Sequence, residues 1–121
     1  MFTYNFEKLE IWKLSIEVIK EVNELIKKLP TEEKYALGDQ IRRAALSIAL
    51  NIAEGWGRNT KKDFARFIST AVGSTLEVIA SLKVAQNLDY IQDKHLEKLD
   101  GLTKELYFKL LKFNNYLKEG S

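Results

Sequence analysis

The sequence predicts an all-α protein: one antiparallel, up-down four-helix bundle over residues 1–121, assembled with copies of itself. Three observations carry that expectation. Helix breakers are scarce, with one Pro and six Gly in 121 residues, so long helices run uninterrupted. Apolar residues recur three and four apart in four successive segments, the period of a helix with an inward face. Two of those segments carry more apolar surface than a four-helix bundle is expected to enclose, and the surplus points to subunit contacts.

The first helix is expected from about Phe6 to Leu29, with Asn5 as N-cap and Pro30 as the stop. At about 100° per residue, Leu9, Trp12, Ile16, Ile19 and Ile26 form one stripe, and Ile11, Leu14, Val18, Val22, Leu25 and Leu29 form another. Thr31 is expected to cap a short turn within TEEKYALG. The second helix follows from about Gly38 to Trp56, and Gly57 suits its C-terminus because glycine tolerates positive φ. Leu37, Ile41, Ala45, Ile48, Ile52 and Trp56 make its inward face, while Leu46 and Leu50 lie nearly opposite. Ala44, Ala45, Ala49 and Ala53 are small enough for close helix contact. The expected subunit interface is therefore Ile11, Leu14, Val18, Val22, Leu25, Leu46 and Leu50.

Asn59 or Thr60 caps a third helix, from about Lys61 to Leu88. Its mid-helix Gly73 costs about 1 kcal/mol against Ala unless a neighbour needs the room. After a break at Asp89 and Tyr90, Gln92 or Asp93 opens a fourth helix that reaches about Leu117. Leu96, Leu99, Thr103, Leu106, Leu110, Phe113 and Leu117 form its single narrow stripe, with Lys98, Glu105, Lys109 and Lys112 opposite. Short links make sequence neighbours pack antiparallel.

Composition excludes several chemistries. An apolar content of 45% and a charged content of 30% describe a soluble globular chain. Without Cys there is no disulfide, thiolate metal site or cysteine nucleophile. His95 is the lone His, among charges at a helix start, and reads as a solvated side chain; no metal or cofactor is expected. No apolar window of membrane-spanning length is read, and Glu7 and Glu10 interrupt the stretch a signal peptide needs. The expectation is a cytoplasmic protein without membrane contact.

Within QIRRAALSIALNIAEGWGR, the residues Gln40, Arg43, Ser47, Asn51 and Glu54 form a polar stripe between apolar faces. The third helix has a matching row: Asp63, Arg66, Thr70, Ser74, Glu77 and Ser81. Three readings stay open: a solvated face, a buried hydrogen-bonded network, or a catalytic cluster of Glu54, Glu77, Arg43 and Arg66. Each carboxylate has an arginine at comparable reach, which favours neutralised structural pairs over acid–base chemistry. Positive charge concentrates between residues 42 and 66, where Arg42, Arg43, Arg58, Lys61, Lys62 and Arg66 face only Glu54 and Asp63. The candidate nucleic-acid contacts are Arg42, Arg58, Lys61 and Lys62, the last two at a helix N-terminus. Trp56 beside this turn either stacks on a base or plugs the bundle end.

QIRRAALSIALNIAEGWGR resembles the QIRRAAvSIpaNIAEG signature of the four-helix-bundle proteins encoded in 23S rRNA intervening sequences. FEKLEIWKLSIEVIKEV, the LP before the second helix and FARFISTAVGSTLEVIASL agree in order and spacing, so the resemblance covers roughly residues 5 to 90. Ala49 stands where many members have Pro, which implies a straighter second helix. The resemblance implies a small helical bundle that assembles as a homopentameric ring. Related to that family are the accessory variability proteins of diversity-generating retroelements, which bind nucleic acid and a reverse transcriptase through a basic pentameric barrel. It brings no catalytic residues. Its signature residues Gln40, Arg43, Ser47, Asn51, Glu54, Ser74 and Glu77 coincide with the polar seam, which makes the motif architectural. The functional expectation is a non-enzymatic oligomer that binds RNA or DNA, as accessory to a reverse transcriptase or other nucleic-acid enzyme. The alternative is a protein-interaction scaffold without nucleic-acid binding.

Overall fold

The structure, a computed structural model, describes residues 1–119. A 3₁₀ turn, Asn5–Lys8, leads into helix α1, Glu10–Ile26. A single helical turn, Thr31–Lys34, precedes α2, Leu37–Trp56; α3 is Lys61–Asn87 and α4 is Asp93–Glu119. The described residues contain no strand. Each long helix touches the next in sequence, and α4 closes the circuit on α1.

Cross-helix pairs fix the antiparallel register. Lys109 of α4 donates to Glu10 of α1, and Lys98 meets Glu21 at 2.9 Å, so α1 and α4 run in opposite directions. Gln40 and Ser47 of α2 meet Glu77 and Ser74 of α3 in the same opposed order. Ser69 and Gln86 of α3 meet Asn114 and Asp93 of α4. The core between the four helices includes Val18, Val22, Ile41, Ile48, Ile52, Ile68, Val78, Leu99, Leu106 and Leu110, all essentially inaccessible. The fourth-helix stripe read from the sequence is buried as expected, with Phe113 half-buried near its end.

The expected interface on α1 is corrected by this packing. Ile11, Val18, Val22 and Leu25 lie in the core of a single chain, and Leu14 is partly buried against it. Because α1 packs between α2 and α4, it needs an apolar arc wide enough for two neighbours. Its second stripe is spent inside the chain. Leu46 and Leu50 remain as read: 47% and 49% exposed, on the outer side of α2.

Several local expectations also change. Asn5 caps nothing; it opens the 3₁₀ turn, where the Tyr4 backbone N–H donates to the Glu7 carboxylate at 2.7 Å. Thr31 is the first residue of its helical turn, and Pro30 holds the cap position. Thr60 does cap α3, its hydroxyl accepting from the Asp63 N–H at 3.1 Å. Gly57 ends α2 at φ −78°, so it uses no left-handed freedom. That conformation falls instead to Asp89, at φ 56° after α3. There the Tyr90 N–H reaches the Ala85 carbonyl at 2.9 Å and the Asp89 N–H reaches the Gln86 carbonyl at 3.1 Å. This doubled closure is a Schellman motif, in which short polar Asp replaces the usual glycine.

Gly55 explains why α2 and α3 approach so closely at that end. A Cβ there would lie 2.7 Å from Phe64 Cδ1 and 2.9 Å from Phe67 Cβ. Gly73 has no such reason within one chain, since nothing lies within 4 Å of its missing Cβ. Contrary to the sequence expectation, α3 is long and apolar enough in composition to cross a membrane. Its outer side carries Ser69, Thr70, Gly73, Leu76, Ala80 and Val84, all exposed, while its inner side packs on α2 and α4.

Candidate nucleic-acid interface

The antiparallel order brings the end of α2, the start of α3, the end of α4 and the segment before α1 to one end of the bundle. The link between α2 and α3 supplies Arg58, and the first turn of α3 supplies Lys61 and Lys62, all three exposed. Among the described residues, none of the three has an ion-pair partner. Arg58 places its guanidinium 4.4 Å from the centre of the Phe67 ring. Lys61 places its ammonium 4.7 Å from the centre of the Tyr116 ring and donates to the phenol oxygen at 3.4 Å. A cation over a ring face is drawn by the ring quadrupole, weakly at an exposed site.

The rings beneath form a connected row. Trp56 meets Phe64 edge-on at 6.2 Å, Phe64 meets Phe113 edge-on at 5.3 Å, and Phe113 stacks with Tyr116 at 6.0 Å and 25°. Both outer members stay accessible, Trp56 at 42% and Tyr116 at 55%. Trp56 therefore does not plug the bundle end. A second run, Phe2, Tyr4, Phe6 and Trp12, stands before and at the start of α1, with ring centres 4.8 to 6.2 Å apart. Lys62, Ala65, Arg66, Ser69 and Lys118 line a shallow depression between α3 and α4 at the same end.

Not every candidate joins this site. Arg42 pairs with Asp39 at 2.8 Å near the start of α2. It lies about 20 Å along the helix from Trp56, at about 1.5 Å per residue. Phe67, Phe113, Tyr116 and Lys118 were missed. The first two looked like core and the last two sit outside the apolar stripe of α4. For the three on α4 the signal was the repeat of rings and lysines in its last turns, Phe113, Tyr116, Lys112 and Lys118.

The polar seam forms between α2 and α3, but with different partners from those expected. Gln40 Nε2 donates to Glu77 Oε2 at 2.6 Å, and the Ser47 and Ser74 hydroxyls share a bond of 2.8 Å. Asn51 Nδ2 donates to the Ser47 carbonyl at 2.8 Å and to its hydroxyl at 3.1 Å. Arg66 pairs with Asp63 at 2.7 Å within its own helix, and Arg43 and Glu54 are exposed and have no ion pair among the described residues. No arginine–glutamate pair crosses the seam. It is a half-exposed row of neutral hydrogen bonds with one carboxylate at its edge. Among the described residues, no three of His, Cys, Asp and Glu gather where they could hold a metal ion.

The opposite end is tied by Tyr90, whose phenol donates to Glu33 Oε1 at 3.3 Å. Partial desolvation and the Glu33 and Glu32 charges push the Tyr90 pKa up. His95 titrates below its ordinary range, because of desolvation and then the Lys28 and Lys94 charges.

Comparison with solved structures finds the same fold in a protein of unknown function from the S23 ribosomal protein family of Bacteroides thetaiotaomicron VPI-5482. The two share 24% identity at a TM-score of 0.79, over 86% of this chain and 97% of that one. No curated protein matches the sequence. The profile of the 23S rRNA-intervening sequence proteins matches residues 7–112, which spans all of α1, α2 and α3 and most of α4. With nearly the whole bundle covered, the chain belongs to the 23S rRNA-intervening sequence protein family.

Proposed function

We propose that this protein is a non-enzymatic, self-assembling bundle that binds RNA or DNA through the end built from the α2–α3 turn. The observation that carries the reading is the grouping of Arg58, Lys61 and Lys62, exposed and without a carboxylate partner, beside accessible rings. Cations free of carboxylates release counterions when they meet phosphates, which favours binding at low salt. The polar seam supports a structural role, since its groups bond to one another along a helix contact.

Self-assembly rests on the apolar residues left outside: Leu46 and Leu50 on α2, and Gly73, Ala80 and Val84 on α3, which flank the seam on one outer face. Five copies in a ring follow from the family resemblance, and would set five basic ends side by side. In that assembly the protein acts in the cytoplasm as accessory to a nucleic-acid enzyme such as a reverse transcriptase.

Binding to structured RNA and to DNA, followed by fluorescence anisotropy across a salt series, tests the reading. Affinity is expected to fall steeply with salt, and the Arg58→Ala, Lys61→Ala, Lys62→Ala triple variant is expected to lose most of it. Salt-insensitive binding, or an unaffected triple variant, refutes it. A scaffold reading draws on one further feature, a groove of about 300 Å³ between α3 and α4 floored by Leu76, Ile79, Tyr107 and Phe108. Retention of a protein partner after nuclease treatment favours that reading.

A further inference from the structure

We propose that the basic end holds single-stranded nucleic acid by stacking unpaired bases on Tyr116 and Trp56, and does not hold duplex. The inference rests on the nucleic-acid reading above and adds the form of nucleic acid recognised.

Three features point this way. First, the site offers ring surface as well as charge. Tyr116 and Trp56 are the accessible ends of a four-ring row, and Phe64 and Phe113 brace them from inside. A purely phosphate-binding surface has no need of accessible rings. A duplex has no use for them either, because its base faces are already stacked on one another. Second, both cation–ring contacts found among the described residues lie here, so each cation stands at the edge of a ring surface. That interleaving suits a strand whose bases and phosphates alternate. Third, Lys62 and Lys118 line the adjoining depression together with Arg66, which is paired to Asp63, so the lysines continue the basic surface away from the rings along the α3–α4 boundary.

In the free protein Lys61 occupies the Tyr116 ring. An exposed cation–ring contact is worth a factor of about two to five in an equilibrium. A stacked base is worth about five to a hundred. The base therefore displaces the ammonium. Lys61, held otherwise only by a 3.4 Å bond to the phenol oxygen, swings toward the phosphate beside that base. Arg58 stays over Phe67 as a second charge at the rim. No covalent step is involved.

The test uses the full chain with three probes of equal length: an oligothymidylate, the same strand without bases, and a duplex. The oligothymidylate is expected to bind about tenfold or more tightly than either of the others. Tyr116→Ala is expected to weaken oligothymidylate binding by about five- to a hundredfold while leaving the base-free strand unchanged. Tyr116→Phe should retain the affinity. Lys61→Ala should weaken both strands. Tyr116 is more than half exposed, so its removal leaves the fold intact, which circular dichroism checks. In a Trp12→Phe background, the oligothymidylate should quench Trp56 emission and the base-free strand should not. Equal binding of the two strands, or preference for duplex with Tyr116→Ala without effect, overturns the stacking proposal and leaves nucleic-acid binding standing. Absence of salt-sensitive binding to all three probes overturns both.

Discussion

At Gly55 one hydrogen atom occupies the space where any other residue would press on two phenylalanines. Phe64 Cδ1 can swing away from a new methyl, but Phe67 Cβ at 2.9 Å moves only with the α3 backbone. Overpacking of that kind costs about 1–3 kcal/mol. Gly55→Ala is expected to lower the urea midpoint accordingly, and to disturb the Arg58–Phe67 contact that depends on the same turn. His95 gives a second residue-scale expectation. Its folded pKa lies below the unfolded value, because desolvation and the neighbouring Lys28 and Lys94 disfavour the imidazolium. The unfolded chain then binds the extra proton more readily, so the contribution of His95 is present above the unfolded pKa and is lost as pH falls through the folded pKa. Urea titrations between about pH 8 and pH 5 should show a small loss on the acid side that His95→Asn removes. A proton NMR titration of the lone imidazole should give a midpoint below that of a histidine peptide.

Elements show where the sequence was readable and where it was not. Thr60 before an apolar run, and the unbroken three-and-four spacing from Leu96 to Leu117, give α3 and α4 their places, because caps and periodicity are local signals. The width of the apolar arc on α1 was equally legible, but its meaning was not. Periodicity tells how much of a helix avoids water and not what covers it, and Val18 and Val22 turned out to face neighbours in the same chain. The seam shows the same limit. Its rows were readable from Gln40 to Glu77, yet Arg66 took Asp63, three residues away, over any distant glutamate. A partner within one turn is already in place when the helix forms, so little further entropy is lost. Two element-scale expectations follow. In a Leu46→Asp, Leu50→Asp background that keeps the chain single, Gly73→Ala should raise stability by about 1 kcal/mol in urea unfolding, since nothing in the same chain stands where its methyl would go. Asn114 is buried in α4, donating to Ser69 at 3.0 Å while its Oδ1 has no partner. Asn114→Leu should stabilise the chain by about 1 kcal/mol, as it removes an unsatisfied buried acceptor with little change in volume.

For the whole molecule, the outer face of α2 and α3 is where the proposed self-assembly is tested. Leu46 and Leu50 stand nearly half exposed, although the residues on the opposite side of α2 are fully enclosed. Size-exclusion chromatography with light scattering should give a multiple of 14.0 kDa. Leu46→Asp with Leu50→Asp should reduce it to the single-chain mass without loss of helicity, because neither side chain contributes to the core. The candidate basic end was only partly legible for a related reason. Arg58, Lys61 and Lys62 are adjacent in sequence, but Tyr116 reaches them through the closure of the bundle, 55 residues from Lys61. Composition shows that rings and cations exist, and only the antiparallel register shows that they meet.

That register has an optical consequence. Both tryptophans, Trp12 near the start of α1 and Trp56 at the finish of α2, sit at one pole of the bundle, whereas Tyr35 and Tyr90 belong to the other. Emission excited at the red edge thus reports on a single pole, whereas far-ultraviolet circular dichroism samples all four helices. If one pole frays before the remainder melts, the two signals will separate on heating, and the chain carries its own pair of reporters without any label.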